Sequence, residues 1–154
     1  PVKLAPRGIL VGPGTVMTTQ DVELLHDVVG LLMVSPNVDP EVIARAGECG
    51  MVTLPGVFTA TEALLAAKAG ASGLKFFPAS VLGASGISAI RAVLPAGLMI
   101  SAVGGISDKN FAEYTKAGIH AFGLGTSLYK PGMTAAEVAA RARATIDAYD
   151  ACMG

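Results

Sequence analysis

GLKFFPAS, Gly73 to Ser80, is the stretch on which the fold turns. A strand with one wet face alternates apolar and polar residues. A strand covered on both faces reads as a near-continuous apolar run, the mark of a parallel sheet packed between helices. Leu74, Phe76 and Phe77 make this run apolar, and Lys75 interrupts it. On a strand, Leu74 and Phe76 share one face while Lys75 and Phe77 share the other. An ammonium group placed there must be charged and desolvated, or neutral, or able to reach water at one end. Each choice costs free energy, so the residue needs an explanation.

Similar runs lie on either side: ILVGPGT from Ile9, LLMVSPN from Leu31, MVTLPG from Met51, MISAVGG from Met99 and HAFGLGT from His120. With GLKFFPA they recur every 20 to 26 residues and predict six strands. The segments between them carry helix signals. Thr59 with Glu62 and Thr134 with Glu137 have capping-box spacing. Asp39-Pro40 fits an N-cap followed by proline at the first helical position. Ser107 is a further expected N-cap, with Ile106 and Phe111 placed as a hydrophobic staple. Thr18 serves the first helix, and Gly50, Gly70 and Gly118 fall where a left-handed residue ends one. Gly83 to Leu94 is expected to be helical without a clear start.

Strand–helix alternation with short loops predicts βαβ units and a parallel sheet. An open doubly wound sheet gathers its ligand at one switch point, whereas a barrel draws on all its strand ends. Here Thr15, Asn37, Pro55, Lys75, Gly104-Gly105 and Gly125-Thr126 each follow a different expected strand, which favours the (β/α)₈ barrel. Six units do not close eight strands, so about two units are expected to be absent from the chain. Residues 1–154 are therefore read as a single, partial TIM-barrel domain.

Only 15% of the residues are charged, against roughly 25% in an average soluble protein. Elements buried on both faces account for that. A net charge of −1 gives no electrostatic footprint for nucleic acid or an anionic membrane. Cys49 and Cys152 lie far apart without metal-ligand spacing, which fits a reduced, cytoplasmic protein. No basic-then-apolar leader opens the chain, and no apolar run reaches the roughly 18 residues of a membrane span. Residues 1–7 read irregularly, as at a cut or junction.

Two chemical features stand out. A lysine with a free-solution pKa near 10.4 becomes partly neutral when an apolar strand desolvates it, and a neutral amine is a nucleophile toward ketones. The competing reading is a core lysine snorkelling to the strand end. Gly104-Gly105, and Gly125-Thr126 with Ser127, follow the last two strands, where bare amides approach an anion closely. Each glycine pair alone is ordinary turn chemistry. The two positions together favour a phosphate site, because loops after the seventh and eighth strands of such barrels bind phosphate.

GPGT (Gly12–Thr15), VSPN (Val34–Asn37), LPGVFTATEA (Leu54–Ala63), LKFFPAS (Leu74–Ser80), AVGGI (Ala102–Ile106) and GLGTSLY (Gly123–Tyr129) occur in the order and spacing of one family. The chain resembles the class I 2-keto-3-deoxy-6-phospho-sugar-acid aldolases from Gly8 onward, matching strands three to eight of their barrel. The resemblance implies that Lys75 forms the Schiff base and that Gly104, Gly105, Gly125 and Thr126 hold the substrate phosphate. It further implies that Thr15 and Pro55 line the pyruvate end; Phe77, on the face of Lys75, is a candidate wall of the pocket, with a core aromatic as the competing reading. Val103 stands where relatives acting on the gluconate epimer typically carry threonine. The implied reaction is reversible cleavage of 2-dehydro-3-deoxy-6-phosphogalactonate to pyruvate and D-glyceraldehyde 3-phosphate, in a homotrimer needing no cofactor or metal. The same chemistry on the gluconate epimer or on 4-hydroxy-2-oxoglutarate is the near alternative. A non-catalytic phosphate-binding barrel is the distant one.

The chain departs from the family in two places. Pro13 replaces the commoner alanine of Gly-Ala-Gly-Thr. The family's acid/base glutamate and substrate-binding arginine, on its first two strands, have no counterpart. Glu23, Glu41, Glu48, Glu62, Glu113 and Glu137 all fall in expected helices and do not fill the gap. Lys68 and Lys116 are expected on the surface near helix C-termini. His26 and His120 are assigned no role.

Overall fold

Threonine hydroxyls start three of the helices. In the computed structural model, which describes residues 7–153, helix α1 (Thr19–Asp27) follows Thr18. The Asp21 N–H donates to Thr18 Oγ1 at 3.1 Å, and the Thr18 N–H donates to Asp21 Oδ2 at 3.0 Å. Thr59 and Glu62 form the same box at α3 (Ala60–Lys68), as do Thr134 and Glu137 at α6 (Ala135–Met153). Each box satisfies two backbone donors that a helix start leaves open. Asp39 caps α2 (Pro40–Glu48), with Pro40 at its first position. Gly50, Gly70 and Gly118 take positive φ after α2, α3 and α5 (Phe111–Lys116). Lys68 and Lys116 are exposed in the last turns of α3 and α5.

Five of the six expected strands form: β1 (Leu32–Val34), β2 (Val52–Leu54), β4 (Gly73–Phe76), β5 (Met99–Val103) and β6 (Ala121–Gly123). A two-residue strand, β3 (Gly56–Val57), follows β2 and was not expected. ILVGPGT is not a regular strand. It lies extended beside β1, since the Leu31 N–H donates to Val11 O (3.0 Å) and the Val16 N–H to Val34 O (3.1 Å). Between those bonds Pro13 has no N–H and Thr15 takes a φ of 65°, so no continuous ladder forms.

Two helix starts also differ from expectation. Helix α4 (Ala79–Arg91) begins before Gly83, which interrupts it with φ 74° and ψ 162°. Ser107 does not cap α5; Asn110 occupies the cap position. The Ser107 N–H donates to Asn110 Oδ1 (2.9 Å), and Asn110 Nδ2 donates to Gly105 O (3.0 Å). Asn110 thus ties the turn at two points, accepting through its carbonyl oxygen and donating through its amide nitrogen. Of the irregular start expected at residues 1–7, residues 1–6 lie outside the described residues.

The chain forms two compact units. One ends at Lys75 and takes in Val93–Met99; the other takes Phe76–Ala92 and continues from Ile100. In the first, β1 pairs in parallel with β2 in the register Leu32↔Val52, Met33↔Thr53, Val34↔Leu54. Val22, Met33, Val42 and Ile43 fill its core. Buried Thr53 is satisfied there: its N–H donates to Ser72 Oγ (3.0 Å) and its Oγ1 accepts the Ser72 N–H (2.9 Å). In the second, β5 pairs in parallel with β6 as Ser101↔Ala121, Ala102↔Phe122, Val103↔Gly123. Phe76, Ile87, Phe111 and Ile119 are buried there, and the Phe111 and Phe122 rings lie 4.7 Å apart. The fold is α/β with parallel strand pairs. Among the described residues no helix is long and apolar enough to cross a membrane.

Val29, after α1, holds a φ of 58° while 64% exposed. A β-branched residue is crowded in that conformation, and little packing repays it. Val29→Gly is expected to stabilise the chain by about 0.5–1 kcal/mol. A higher urea midpoint at unchanged slope checks this.

Candidate active site

In the first unit, Lys75 lies on β4 with its backbone N–H donating to Pro55 O at 2.9 Å. The strand alternates as expected: Leu74 and Phe76 are fully buried, Lys75 is half-buried and Phe77 is exposed. Lys75 Nζ donates to the Ser35 carbonyl at 3.3 Å. Burial pushes its pKa below the ordinary lysine value, because desolvation disfavours the ammonium form. Pro55 is buried and Thr15 is exposed. With Pro13, Gly14, Val16 and Leu24, Thr15 borders a separate hollow beside α1. Asn37 contributes its carbonyl to the turn after β1, where it accepts the Ser35 hydroxyl at 2.8 Å.

The second unit brings six of the expected site residues to one hollow of about 220 Å³: Phe77, Val103, Gly104, Gly105, Gly125 and Thr126. Gly104 and Gly105 have φ of 91° and 78°. A Cβ on Gly104 would lie 3.2 Å from the Phe77 ring, and one on Gly105 would lie 2.5 Å from Ser80 Cβ. The Ser80 N–H donates to Gly104 O at 3.0 Å, fastening the glycine pair to the start of α4. Val103 keeps its place because Gly123 has no side chain; a Cβ there would come within 2.6 Å of Val103 Cγ2.

Ser127 is more than the expectation made of it. Its hydroxyl oxygen is buried without a hydrogen-bond partner and lines this hollow. A buried, unsatisfied hydroxyl is costly, and a ligand oxygen would satisfy it. A neighbouring hollow of about 520 Å³ shares Gly105, Thr126 and Ser127 and is bordered by Lys109, Lys130 and Arg141, with Asp108 opposing them. Arg141 Nη1 donates to Ser127 O at 3.2 Å. Three cations against one carboxylate favour an anion here. The sequence reading missed all three cations. Arg141 sits on α6, 14 residues from the Ser127 carbonyl it binds.

Four of the six glutamates are occupied elsewhere. Glu23 and Glu48 pair with Arg45 at 2.6 Å and 2.9 Å. The Phe58 N–H holds the Glu62 carboxyl below its ordinary range, and the Thr134 N–H does so for Glu137. A general acid at neutral pH needs the opposite shift. The arrangement therefore offers a depressed-pKa amine in one unit and an anion cradle in the other.

The family model for KDPG and KHG aldolases matches residues 3–140. A Rhizobium meliloti (strain 1021) protein named "Probable 2-dehydro-3-deoxy-6-phosphogalactonate aldolase" is 68% identical over 153 residues, which are 99% of this chain and 72% of that protein. The 2-dehydro-3-deoxy-6-phosphogalactonate aldolase of Escherichia coli (strain K12) is 43% identical over 140 residues, 91% of this chain and 68% of that one. The solved structure described as native KDPGal superposes with a TM-score of 0.95 at 40% identity, covering 99% of this chain and 74% of its own.

Proposed function

The chain belongs to the KDPG and KHG aldolase family, and we propose that within it the reaction is cleavage of 2-dehydro-3-deoxy-6-phosphogalactonate to pyruvate and D-glyceraldehyde 3-phosphate. Both relatives described above carry that activity in their names. Lys75 is the single observation that carries the mechanism, being an amine whose pKa burial depresses. As neutral amine it adds to the C2 ketone, and loss of water leaves an iminium. The C3–C4 bond then breaks, its electron pair enters the iminium to give an enamine, and the C4 hydroxyl loses its proton as the aldehyde forms. The enamine takes a proton at C3, and hydrolysis releases pyruvate and restores Lys75.

The substrate phosphate is assigned to Gly104, Gly105, Gly125 and Thr126, with the buried Ser127 hydroxyl as an added donor. Thr15 and Pro55 are assigned to the pyruvate end, and Phe77 to the wall of the hollow beside Gly104. The same reading takes residues 1–154 as one domain of the (β/α)₈ barrel type, matching its third to eighth units. It takes the protein as a cytoplasmic homotrimer, which light scattering tests.

Borohydride reduction in the presence of pyruvate tests the mechanism. One reduced pyruvate is expected on the peptide containing Lys75, and an unlabelled Lys75 would leave only a phosphate-binding role. The trapping rate is expected to rise with pH and level off below the lysine range near 10.4, since desolvation enlarges the neutral fraction at any lower pH. A midpoint at or above that range would remove the argument from burial.

Val103 sets the epimer. Its side chain lines the hollow with Gly104 and Gly105 and offers no hydrogen bond to a substrate hydroxyl. Val103→Thr is expected to move the kcat/KM ratio toward the gluconate epimer by about 1–3 kcal/mol. A ratio already favouring gluconate in the unsubstituted chain contradicts the assignment.

A further inference from the structure

Three features of the first unit converge on one carbonyl. Ser35, the residue after β1, is 4% exposed, and its hydroxyl donates to Asn37 O at 2.8 Å, closing a turn. Gly56 packs against that turn: a Cβ there would run into the Pro36 carbonyl and lie 2.9 Å from Ser35 O. Ser35 O accepts from Lys75 Nζ at 3.3 Å.

We infer that the Ser35–Asn37 turn is the positioning element of the nucleophile. The Ser35 carbonyl holds one N–H of Lys75, the Ser35 hydroxyl fixes the turn that carries this carbonyl, and Gly56 leaves it room. The inference rests on the reading of Lys75 as the Schiff-base residue. A lysine side chain has many rotamers, and an untethered amine seldom points its lone pair at a ketone. A carbonyl only accepts, so it can hold an N–H of either the ammonium or the amine. With Cε and one hydrogen fixed, the lone pair of the neutral amine is left few directions. Ser35 and Gly56 act through Lys75, so they govern the rate of its addition and not the affinity for pyruvate.

The test is the borohydride-trapping rate of the full chain across pyruvate concentrations, with thermal unfolding measured on each sample. Ser35→Ala and Gly56→Ala are each expected to lower the saturating rate roughly tenfold, a cost typical of a misplaced reacting group. The half-saturating pyruvate concentration should stay within about twofold, the pattern of an interaction not used in ground-state binding. Ser35→Thr, which keeps the hydroxyl, should recover the rate. An unchanged saturating rate in folded variants overturns the inference, and so does a fall matched by an equal rise in half-saturating pyruvate. A Ser35→Thr variant as slow as Ser35→Ala overturns it too, and failure of both alanine variants to fold shows the turn to be packing alone. No adduct on Lys75 in the unsubstituted chain sinks the aldolase reading itself, before any variant is made. An adduct there with unaltered variants sinks this inference alone.

Discussion

Lys75→Met is expected to remove Schiff-base formation entirely while leaving the chain folded. In the proposed mechanism the substitution takes away the atom that bonds the ketone, and losing a covalent nucleophile costs on the order of 10⁴ in turnover or more. Two effects on stability oppose each other. Losing the bond to the Ser35 carbonyl costs about 1 kcal/mol, while removing a partly desolvated ammonium relieves a penalty and acts in the opposite direction. Methionine fills comparable apolar space, so the unfolding midpoint should move little. Mass spectrometry after borohydride and pyruvate treatment reads the outcome. A substituted chain that still gains one reduced pyruvate would place the nucleophile on another residue.

Gly105→Ala is expected to separate phosphate recognition from amine chemistry. At φ 78° an alanine is strained by about 1–2 kcal/mol. Its Cβ would also lie 2.5 Å from Ser80 Cβ and 2.6 Å from Ser80 Oγ. Ser80 has little freedom to retreat, because its N–H is bonded to Gly104 O. The glycine turn must therefore shift, and it forms a wall of the hollow that also holds Thr126 and Ser127. KM for the phosphorylated substrate should rise roughly 10- to 100-fold, equivalent to about 1.4–2.8 kcal/mol. Pyruvate carries no phosphate, so its trapping rate on Lys75 should stay within about twofold of the unsubstituted chain. Equal losses in both measurements would mean that the glycine pair serves folding only.

What was legible in the sequence was local or repetitive. Thr59–Glu62 and Thr134–Glu137 could be read because a capping box closes over three residues and needs no distant partner. β4 could be read because burial on both faces leaves an apolar run. The glycines and Thr126 could be assigned to one hollow because strand ends deliver their loops to a common side. The run at Ile9 misled because its composition suits a strand while Pro13 and the Thr15 backbone forbid the ladder. At α5 two capping residue types compete three positions apart, and the Gly105 carbonyl decides between them. β3 is too short for any periodicity to reveal it. Arg141 supports Ser127 from 14 residues away, and Ser35 meets Lys75 from 40 away. No pattern of neighbouring letters encodes such distances.

The capping boxes bear on the order of events in folding. Those at Thr18, Thr59 and Thr134 link residues only three apart, so closing them costs little chain entropy even in the unfolded ensemble. Parallel pairs such as Leu32↔Val52 and Ser101↔Ala121 join residues 20 apart and close at a higher entropic cost. Helix starts should thus be populated ahead of the strands they serve, each unit condensing on its own segment with low contact order. Amides in the first turns of α1, α3 and α6 would then gain protection from hydrogen exchange before those of β1 and β6. On a chain emerging residue by residue during synthesis, the box at Thr18 is complete before β1 has met β2, so α1 can start while that strand still waits for its partner.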